Sequence, residues 1–513
     1  MSHRLAIDFG TTNSVIVHQS NSHMDVLPLI PSLLYVEDGR SGQAIVGEDV
    51  KTMGLDQTPT NRLFRNFKRG MVTTPTPAPR EIDGALWDDR AAGDAFIRHL
   101  LSTLPYDLEA IDQIVLTSPV MAFENYLSWL TGIMEPLTTD PDRIRLVDES
   151  TAAALGYAVT EPGAVVLVFD FGGGTLDLSL VQLPESREKT GSFLGRMFNA
   201  KQQVAKVIAK AGRVLGGSDI DQWLLADVLR QTGLVPSDLG SDYAALLTLC
   251  EQAKIALSTQ ECVPLDFTVN HRDYHLPLTR ADLETILEQN GFYAALRHVI
   301  EKVMVTARQQ GIFKEDIHYV LLVGGVSLMP SVQALLGHYF TKTAIRADKP
   351  FTAVAEGALQ VALGYGLDDY LNHSYGIRYL DDHAHQYEEL IPSGTHYPTD
   401  KPVEITLGAA HARQSAIEFV IGEVETDSTA LVEMVYEDGQ AVFVAQADQG
   451  AQQIVPLNLD APRMAYLAPN AKRGEDRIRA AFRVDAHRQL RLTVLDLKTR
   501  EELLHDEVVV TLK

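Results

Sequence analysis

The stretch LAIDFGTTNSVIV, residues 5–17, decides the first fold expectation, because an apolar run ends in a polar corner and a second apolar run follows. The two apolar runs are typical of paired β-strands. The corner between them consists of Asp8, Gly10, Thr11, Thr12, Asn13 and Ser14. A plain hairpin turn accounts for the glycine but not for the aspartate and the hydroxyl groups. The corner therefore indicates a role beyond reversing the direction of the chain.

The composition indicates a globular protein of more than one domain. The chain has 513 residues, more than usually fold around one hydrophobic core. Hydrophobic residues make up 45% and charged residues 22%, close to the averages of globular proteins. The formal net charge of −24 opposes binding to nucleic acid or to an anionic membrane surface. With only Cys250 and Cys262, no signal-like start and no long apolar run, we expect a soluble, cytoplasmic protein without a membrane span.

The chain changes character near its last third. Up to about residue 365, apolar strands near Val115 and Val165 alternate with helical patterns over residues 91–104, 202–211 and 292–310, which is typical of an α/β fold. Short alternating segments follow, including residues 416–420, 431–436 and 489–495. The sequence predicts an α/β domain over residues 1–366, a linker over residues 367–372 and a β-rich domain over residues 373–513.

A second hairpin segment, VLVFDFGGGTLDLSLV at residues 166–181, repeats the order of the first. The N–H groups of Gly172, Gly173 and Gly174 can line an anion site, and Thr175 adds a hydroxyl. Asp170 and Asp177 approach the same place, and carboxylates face a phosphate only through a cation. We interpret the two hairpins as holding a magnesium nucleotide from opposite sides, with Asp8 and Asp170 on the water shell of the ion. A mobile turn is the alternative for an isolated glycine run.

Three further segments carry weaker signals. Gly324 and Gly325 lie between an apolar strand and a helix with Pro330 in its first turn, a layout that presents backbone N–H groups to a ligand. Gly216 and Gly217 form another pair, for which Ser218 or Asp219 as a helix cap is the alternative interpretation. Glu251, Lys254 and Ser258 share one helical face, where an ion pair between the first two is the alternative to a ligand role.

Taken in order, these motifs resemble the heat-shock protein 70 family of molecular chaperones. The matching segments are DFGTTNS from residue 8, DESTAAALGY from 148, DFGGGTLD from 170, GGSDID from 216, EQAKIALS from 251 and LVGG from 322. LTRADLE from residue 278 and AVAEGAL from residue 353 fit the same ATPase domain. YEELIPSGTHYPT from residue 387 and FRVDAHRQLRLTVLDLKTREEL from residue 482 resemble the family's peptide-binding β-sandwich more weakly.

The resemblance implies an α/β, actin-like, two-lobed ATPase domain with ribonuclease H-like halves, followed by an all-β sandwich-like domain. It implies ATP and ADP as ligands, Mg²⁺ as an ion with K⁺ as a further candidate, and unfolded or extended peptide segments as clients. A J-domain co-chaperone and a nucleotide-exchange factor are the partners that the family suggests. The chain ends just past the last sandwich strand, so we expect a short form without the family's helical lid, from which peptide leaves fast.

The resemblance also implies roles for single residues. Asp8, Asp170 and Asp177 would surround the cations, Glu149 and Asp170 would orient the attacking water, and Thr11 and Thr175 would contact the γ-phosphate. The nucleotide-binding set is Gly10, Thr11, Thr12, Asn13, Gly172, Gly173, Gly174, Gly216, Gly217, Glu251, Lys254, Ser258, Gly324 and Gly325. Lys68 is the candidate catalytic lysine if a one-residue insertion follows the segment PTNRLF at residue 59, with Arg65 and Arg69 as alternatives.

The chain departs from the family pattern around the base and between the domains. The arginines that sandwich adenine are replaced by Ile255 and Leu328, and two further family positions carry Val326 and Phe351. Since stacking of a cation on an aromatic ring contributes roughly 0.5–2 kcal/mol, we expect weaker ATP binding than the family norm. The linker lacks the family's run of leucines, which puts the coupling of the domains in doubt.

In the β-rich domain, Tyr387, Ile405 and Ile417 fall near positions that line the family's peptide groove, with sandwich core as the alternative. The leading functional hypothesis is an ATP-dependent chaperone of this type that hydrolyses ATP slowly. The competing hypothesis is a nucleotide-binding scaffold with little or no hydrolysis, which the base-region changes favour. A sugar or metabolite kinase is disfavoured because the resemblance extends into the C-terminal domain.

Overall fold

A computed structural model of the chain describes residues 3–21, 23–57, 60–72, 77–120, 124–134, 140, 143–157, 161–184, 204–371, 373–381, 384–425, 431–437, 440–446 and 453–512. The chain divides into two compact units. The first comprises Met1–Ala122 and Leu130–Leu367, and the second comprises Phe123–Trp129 and Asp368–Lys513. Asn372, in the predicted linker, lies outside the described residues, and so does Pro59.

The first sheet contains the hairpin expected from residues 5–17, which we call the first hairpin. The strand order is Ile144–Asp148, Gln113–Ser118, His3–Asp8, Asn13–Ser20 and His23–Val26, with Ile30–Pro31 also paired to Asn13–Ser20. The first three strands are parallel and the hairpin is antiparallel. The carboxyl ends of the parallel strands therefore meet at the polar corner of the first hairpin.

The second sheet repeats this arrangement. Its strands in the first unit are, in order, Ile345–Arg346, Ile317–Val323, Val165–Phe171, Leu176–Gln182 and Val204–Arg213. Val165–Phe171 and Leu176–Gln182 form the second hairpin, and the strands that precede them in this order run parallel to Val165–Phe171. Each sheet thus has two parallel strands, a hairpin and one antiparallel strand beyond it, as the sequence echo predicts. Val165–Phe171 is buried along its whole length, because elements cover both faces of the sheet.

Twelve α-helices lie among the described residues. Their bounds are Glu48–Thr52, Phe67–Val72, Asp89–Thr103, Glu124–Gly132, Glu149–Gly156, Gly217–Thr232, Pro236–Leu239, Tyr243–Ala256, Arg280–Gln289, Phe292–Gln309, Pro330–Tyr339 and Ala353–Ala362. Short 3₁₀ turns span Leu55–Gln57, Leu108–Ala110, Gly240–Asp242, Lys314–Asp316 and Gly325–Leu328. Smaller sheets of the first unit contain Gln43–Val46, Leu33–Asp38 and Leu63–Arg65, then Arg80–Ile82 with Ala85–Trp87, and Cys262–Val269 with Arg272–Thr279.

Two helices cross closely at glycines. A Cβ added to Gly156 would lie 1.8 Å from the carbonyl oxygen of Ala353, and one added to Gly357 would lie 1.7 Å from that of Ala152. The helices Glu149–Gly156 and Ala353–Ala362 can therefore approach only because both contact points lack side chains. This crossing fixes the helix whose first residue is Glu149.

One predicted helix is a strand. Helices over residues 91–104 and 292–310 are confirmed by Asp89–Thr103 and Phe292–Gln309, but most of residues 202–211 belong to the strand Val204–Arg213. Residues 202 and 203 lie outside the described residues. The strand is buried on both faces over residues 207–211, so it lacks the alternation that marks a half-exposed strand, and its lysines four residues apart imitate a helical period.

The second unit contains only strands among the described residues from 373 onward. One four-stranded sheet has the order Ala384–Ile391, Ser374–Asp381, Ile421–Glu425 and Gln453–Pro456, and another has Val403–Gly408, Asp476–Val484, Gln489–Asp496 and Glu502–Thr511. Further pairs are Gln414–Phe419 with Arg463–Ala471, Leu431–Glu437 with Gln440–Gln446, and Gly366–Tyr370 with His396–Tyr397. Side chains from the two four-stranded sheets, including Ile377 and Phe482, share one apolar core, as in a β-sandwich.

Candidate functional site

The two hairpin corners touch each other. A Cβ added to Gly173 would lie 1.9 Å from Thr12 Oγ1, and one added to Gly174 would lie 2.6 Å from Thr11 Oγ1. The polar corner of the first hairpin therefore faces the glycine corner of the second, as the sequence predicts. Any larger residue at the two glycines would push the hydroxyl groups away.

Of the carboxylates at the ends of the hairpin strands, Asp170 and Asp177 are buried and Asp8 is half-buried. Asp8 Oδ1 accepts a hydrogen bond of 2.7 Å from Thr117 Oγ1 on the adjacent parallel strand. Asp170 and Asp177 lie directly opposite each other in the second hairpin, and Asp177 Oδ1 accepts from the backbone N–H of Val120 at 3.2 Å. The hairpin geometry thus directs all three candidate metal-binding carboxylates to the same region.

Their protonation equilibria show how close these groups are. Burial raises the pKa of Asp170 well above its ordinary value, and the charges of Glu149, Asp177 and Asp8 raise it further. Burial and Glu149 raise the pKa of Asp8 to about 7, against opposing effects of Lys68 and of the Thr117 hydrogen bond. The cluster consequently favours a cation that would neutralise several buried carboxylates.

A divalent cation fits this cluster through its water shell. Among the described residues, no group of three or more His, Cys, Asp or Glu side chains is arranged to ligate a metal directly. Burial and neighbouring carboxylates nevertheless oppose the ionisation of Asp8 and Asp170, whose pKa values are raised, and a nearby cation would favour their ionised forms. Mg²⁺ commonly keeps several waters and contacts one or two carboxylates, so the donor set suits a hydrated Mg²⁺.

Lys68 is the cation that reaches this cluster from the helix Phe67–Val72. Its Nζ lies 2.5 Å from Glu149 Oε1 and also donates to the backbone carbonyl of Phe9. The side chains of Lys68 and Glu149 are only 3% and 10% exposed. In this buried setting the ion pair holds both side chains in a defined geometry.

The two alternative cations have other partners. Arg65 donates to Thr248 Oγ1 at 3.2 Å and to the carbonyl of Asp56 at 2.7 Å. Arg69 forms an ion pair of 2.7 Å with Asp219. The geometry therefore favours Lys68 over both arginines as the cation beside Glu149.

The glycine pair at 216 and 217 packs on the second hairpin. The N–H of Gly217 donates to Gly172 O at 3.0 Å, and the N–H of Ser218 donates to Gly173 O at 2.9 Å. The helix begins at Gly217 with Gly216 as its N-cap, so neither Ser218 nor Asp219 is the cap. Asp219 instead accepts the Gly216 N–H at 2.8 Å, which ties this corner to Arg69.

Lys254, on the helix Tyr243–Ala256, contacts the same corner. Its Nζ forms an ion pair of 2.7 Å with Asp221 and donates to Gly217 O at 3.0 Å. Lys254 therefore pairs with Asp221 and not with Glu251, the partner that the helical spacing suggested. Glu251 and Ser258 are half-buried, and Ser258 lies beyond the end of the helix.

The third glycine corner approaches the second hairpin from the other side. Gly324 has φ +75°, and a Cβ there would lie 2.4 Å from Phe171 O. Gly325 opens a 3₁₀ turn that ends at Leu328, and the helix Pro330–Tyr339 follows with its proline in the first turn. The strand, glycine corner and helix that the sequence predicts are thus present.

The region expected to hold a base is apolar. A Cβ on Gly325 would lie 3.7 Å from the ring of Phe351. Ile255 is 61% exposed and Phe351 is 38% exposed. These exposed apolar side chains occur where the family resemblance led us to expect arginine stacking and an aspartate.

The candidate peptide-binding residues contribute to the sandwich. Ile417 is buried in the apolar core and Ile405 packs against it. Tyr387 is half-buried. Its ring packs on Gly422, where an added Cβ would lie 2.6 Å from Tyr387 Cε1. In this structure the two isoleucines thus serve the packing of the sandwich, the alternative that the sequence left open.

Sequence reasoning missed several residues that complete the site. The predicted residues are held by Thr117 and Val120, which come from segments without a motif. They are also held by Asp219, which was interpreted only as a cap, and by Asp221, which lies in the GGSDID motif but was given no role. Their positions depend on strand order and on helix docking. Asp221 was within reach of sequence reasoning, because it lies four residues after the predicted glycine pair.

Among the described residues, no helix is both long and apolar enough to span a membrane.

Comparison with known proteins identifies the family. The model of the Hsp70 protein family matches residues 142–461. The chaperone protein DnaK of Thermosipho melanesiensis is 28% identical over 532 residues, covering 97% of this chain and 79% of the relative. The chaperone protein DnaK of Thermotoga maritima is 27% identical over 539 residues, with the same coverage. Since the family model spans more than half of the chain, this protein belongs to the Hsp70 family, as a divergent member.

Proposed function

We propose that this protein is an ATP-dependent molecular chaperone, which binds and hydrolyses Mg-ATP to regulate its hold on unfolded peptide segments. The observation that carries the proposal is the buried contact of Lys68 with Glu149 beside Asp8 and Asp170. A buried lysine, a base and several carboxylates next to two glycine-rich corners suit phosphoryl transfer to water.

Each residue has a distinct task in this mechanism. The backbone N–H groups of the glycine corners and the hydroxyls of Thr11 and Thr175 would bind the phosphates. Lys68 would neutralise charge on the γ-phosphate, and Glu149, with Asp170, would orient the attacking water and accept its proton. Bound Mg²⁺ would neutralise phosphate charge through the water shell held by Asp8, Asp170 and Asp177.

The relatives named as chaperones support a peptide-binding role for the second unit. We propose unfolded or extended peptide segments as its ligands, and a J-domain co-chaperone and a nucleotide-exchange factor as partners. Because Ile417 lies in the sandwich core and the half-buried Ile405 packs against it, we propose that peptide contacts involve other residues or a rearranged sandwich.

Single-turnover hydrolysis of radiolabelled Mg-ATP tests the proposal. Wild type should form ADP, and Glu149→Gln should slow this step about 100-fold or more, because a general base contributes about 10²–10⁴-fold. The exposed Glu301→Gln is the matched control and should hydrolyse like wild type. Mg-ATP affinity should change little in either variant. A wild type that binds ATP without hydrolysing it would favour the scaffold hypothesis instead.

A further inference from the structure

Both residues that flank Glu149 are anchored to the second sheet. Asp148 ends a strand of the first sheet, and Ser150 lies in the first turn of the helix that Glu149 begins. We propose that Lys210 and Ser179, which hold these neighbours, are positioning residues that aim the Glu149 carboxylate at the attacking water. This inference rests on the proposed function and adds residues that no motif assigns.

The first anchor is a buried ion pair. Lys210 Nζ lies 2.8 Å from Asp148 Oδ2, and the two side chains are 1% and 0% exposed. The residues are 62 positions apart in the chain, and Lys210 lies on the strand Val204–Arg213. Burying two charges is costly, and apolar residues of similar volume commonly give equal stability, so geometry is what such a pair supplies.

The second anchor is a buried hydrogen bond on the other side of Glu149. Ser150 Oγ and Ser179 Oγ are 2.6 Å apart, and both residues are fully buried. Ser179 lies on the second hairpin strand Leu176–Gln182. The backbone at Glu149 is thus fixed between two side-chain contacts to neighbouring strands.

The two anchors form one patch of the second sheet. Ser179 and Lys210 are direct partners in the antiparallel ladder, so their side chains lie on the same face. Asp177 lies two residues before Ser179 and shares that face. The patch that holds the neighbours of Glu149 therefore also carries a candidate magnesium residue, and it links the base to the cation site through rigid strands.

The contact of Glu149 with Lys68 completes the arrangement. Lys68 Nζ holds the carboxylate itself at 2.5 Å, whereas Lys210 and Ser179 hold the backbone on either side. A small displacement of a catalytic group can slow a reaction about 100-fold. Loss of the anchors should therefore lower turnover without removing any group that touches ATP.

The test compares single-turnover hydrolysis and Mg-ATP affinity in the full chain. The double variant Asp148→Asn with Lys210→Met removes both charges together, so that no buried charge is left alone. We expect the hydrolysis rate to fall about tenfold or more, while the Kd for Mg-ATP stays within about threefold. The variant Ser150→Ala with Ser179→Ala should lower the rate in the same way and provides a second route if the first fails to fold.

A double-mutant cycle distinguishes positioning from general destabilisation. In a Glu149→Gln background, the Asp148→Asn and Lys210→Met changes should cause no further fall, since they act through Glu149. The buried pair Arg477 and Asp496, 0% and 1% exposed in the second unit, offers a matched control. The double variant Arg477→Met with Asp496→Asn should hydrolyse ATP like wild type.

Three outcomes would overturn the inference. A wild-type rate in the Asp148–Lys210 double variant, or an equal loss in the Glu149→Gln background, contradicts a positioning role while leaving the proposed function intact. Absence of hydrolysis in wild type contradicts the proposed function and, with it, this inference.

Discussion

At the scale of single residues, Lys68 lies beside a group of carboxylates. Burial and mutual repulsion oppose the ionisation of these carboxylates. Lys68→Ala would leave Glu149 without this charge partner and remove a positive charge from the phosphate site. We expect Mg-ATP hydrolysis to slow about 100-fold with a smaller loss of affinity, since such sites act chiefly through positioning and charge. Steady-state ADP release measures the first and calorimetry the second. The exposed Lys51→Ala serves as control, and unchanged turnover in Lys68→Ala would remove Lys68 from the mechanism.

Asp221 predicts a pH dependence of stability. Burial raises its pKa to about 6, against the opposing charge of Lys254. The folded protein therefore binds more protons than the unfolded chain between about pH 4 and about pH 6, and the free energy of unfolding falls as pH rises through that window. The loss from this group is about 2 kcal/mol.

Guanidinium unfolding of wild type and Asp221→Asn at about pH 4 and about pH 7 checks this sign. Relative to the variant, wild type should lose about 2 kcal/mol on going to the higher pH. The exposed Asp348→Asn should follow wild type at both values. A stability difference between Asp221→Asn and wild type that does not change with pH would refute the assignment.

At the scale of elements, the glycine corners predict contrasting effects of one added methyl group. A Cβ on Gly216 would lie 2.4 Å from the backbone carbonyl of Gly173, whereas one on Gly172 meets no atom within 4 Å. Gly216→Ala should therefore destabilise the protein by about 1–3 kcal/mol through overpacking. Gly172→Ala should cost less than about 1 kcal/mol. Thermal unfolding of both variants measures the difference, and equal stability would mean that the corner relaxes freely.

The elements also show what can be predicted from the sequence. Both hairpins were predictable because each combines a local apolar pattern with a glycine corner. The strand Val204–Arg213 was not, because burial on both faces removes the alternation by which a strand is recognised. Lys254 pairs with Asp221 rather than Glu251, and Lys210 pairs with Asp148. Such long-range pairs depend on strand order and helix docking, which the spacing of residues along one helix does not predict.

At the scale of the whole molecule, the family relationship extends over 97% of the chain at 27–28% identity. Gly173 and Gly174 of the second hairpin lie against the hydroxyls of Thr12 and Thr11 in the first. The expected base region instead exposes apolar side chains such as Ile255. We therefore expect nucleotide binding to depend mainly on the phosphates.

The central claim is that nucleotide controls peptide binding in this chain. Fluorescence anisotropy of a labelled extended peptide, titrated with this protein in ATP, in ADP and without nucleotide, tests it most directly. Our account predicts a peptide Kd that is about tenfold or more weaker in ATP than in ADP, a coupling of about 1.4 kcal/mol. The same Kd in all three conditions, with ATP bound, would contradict it.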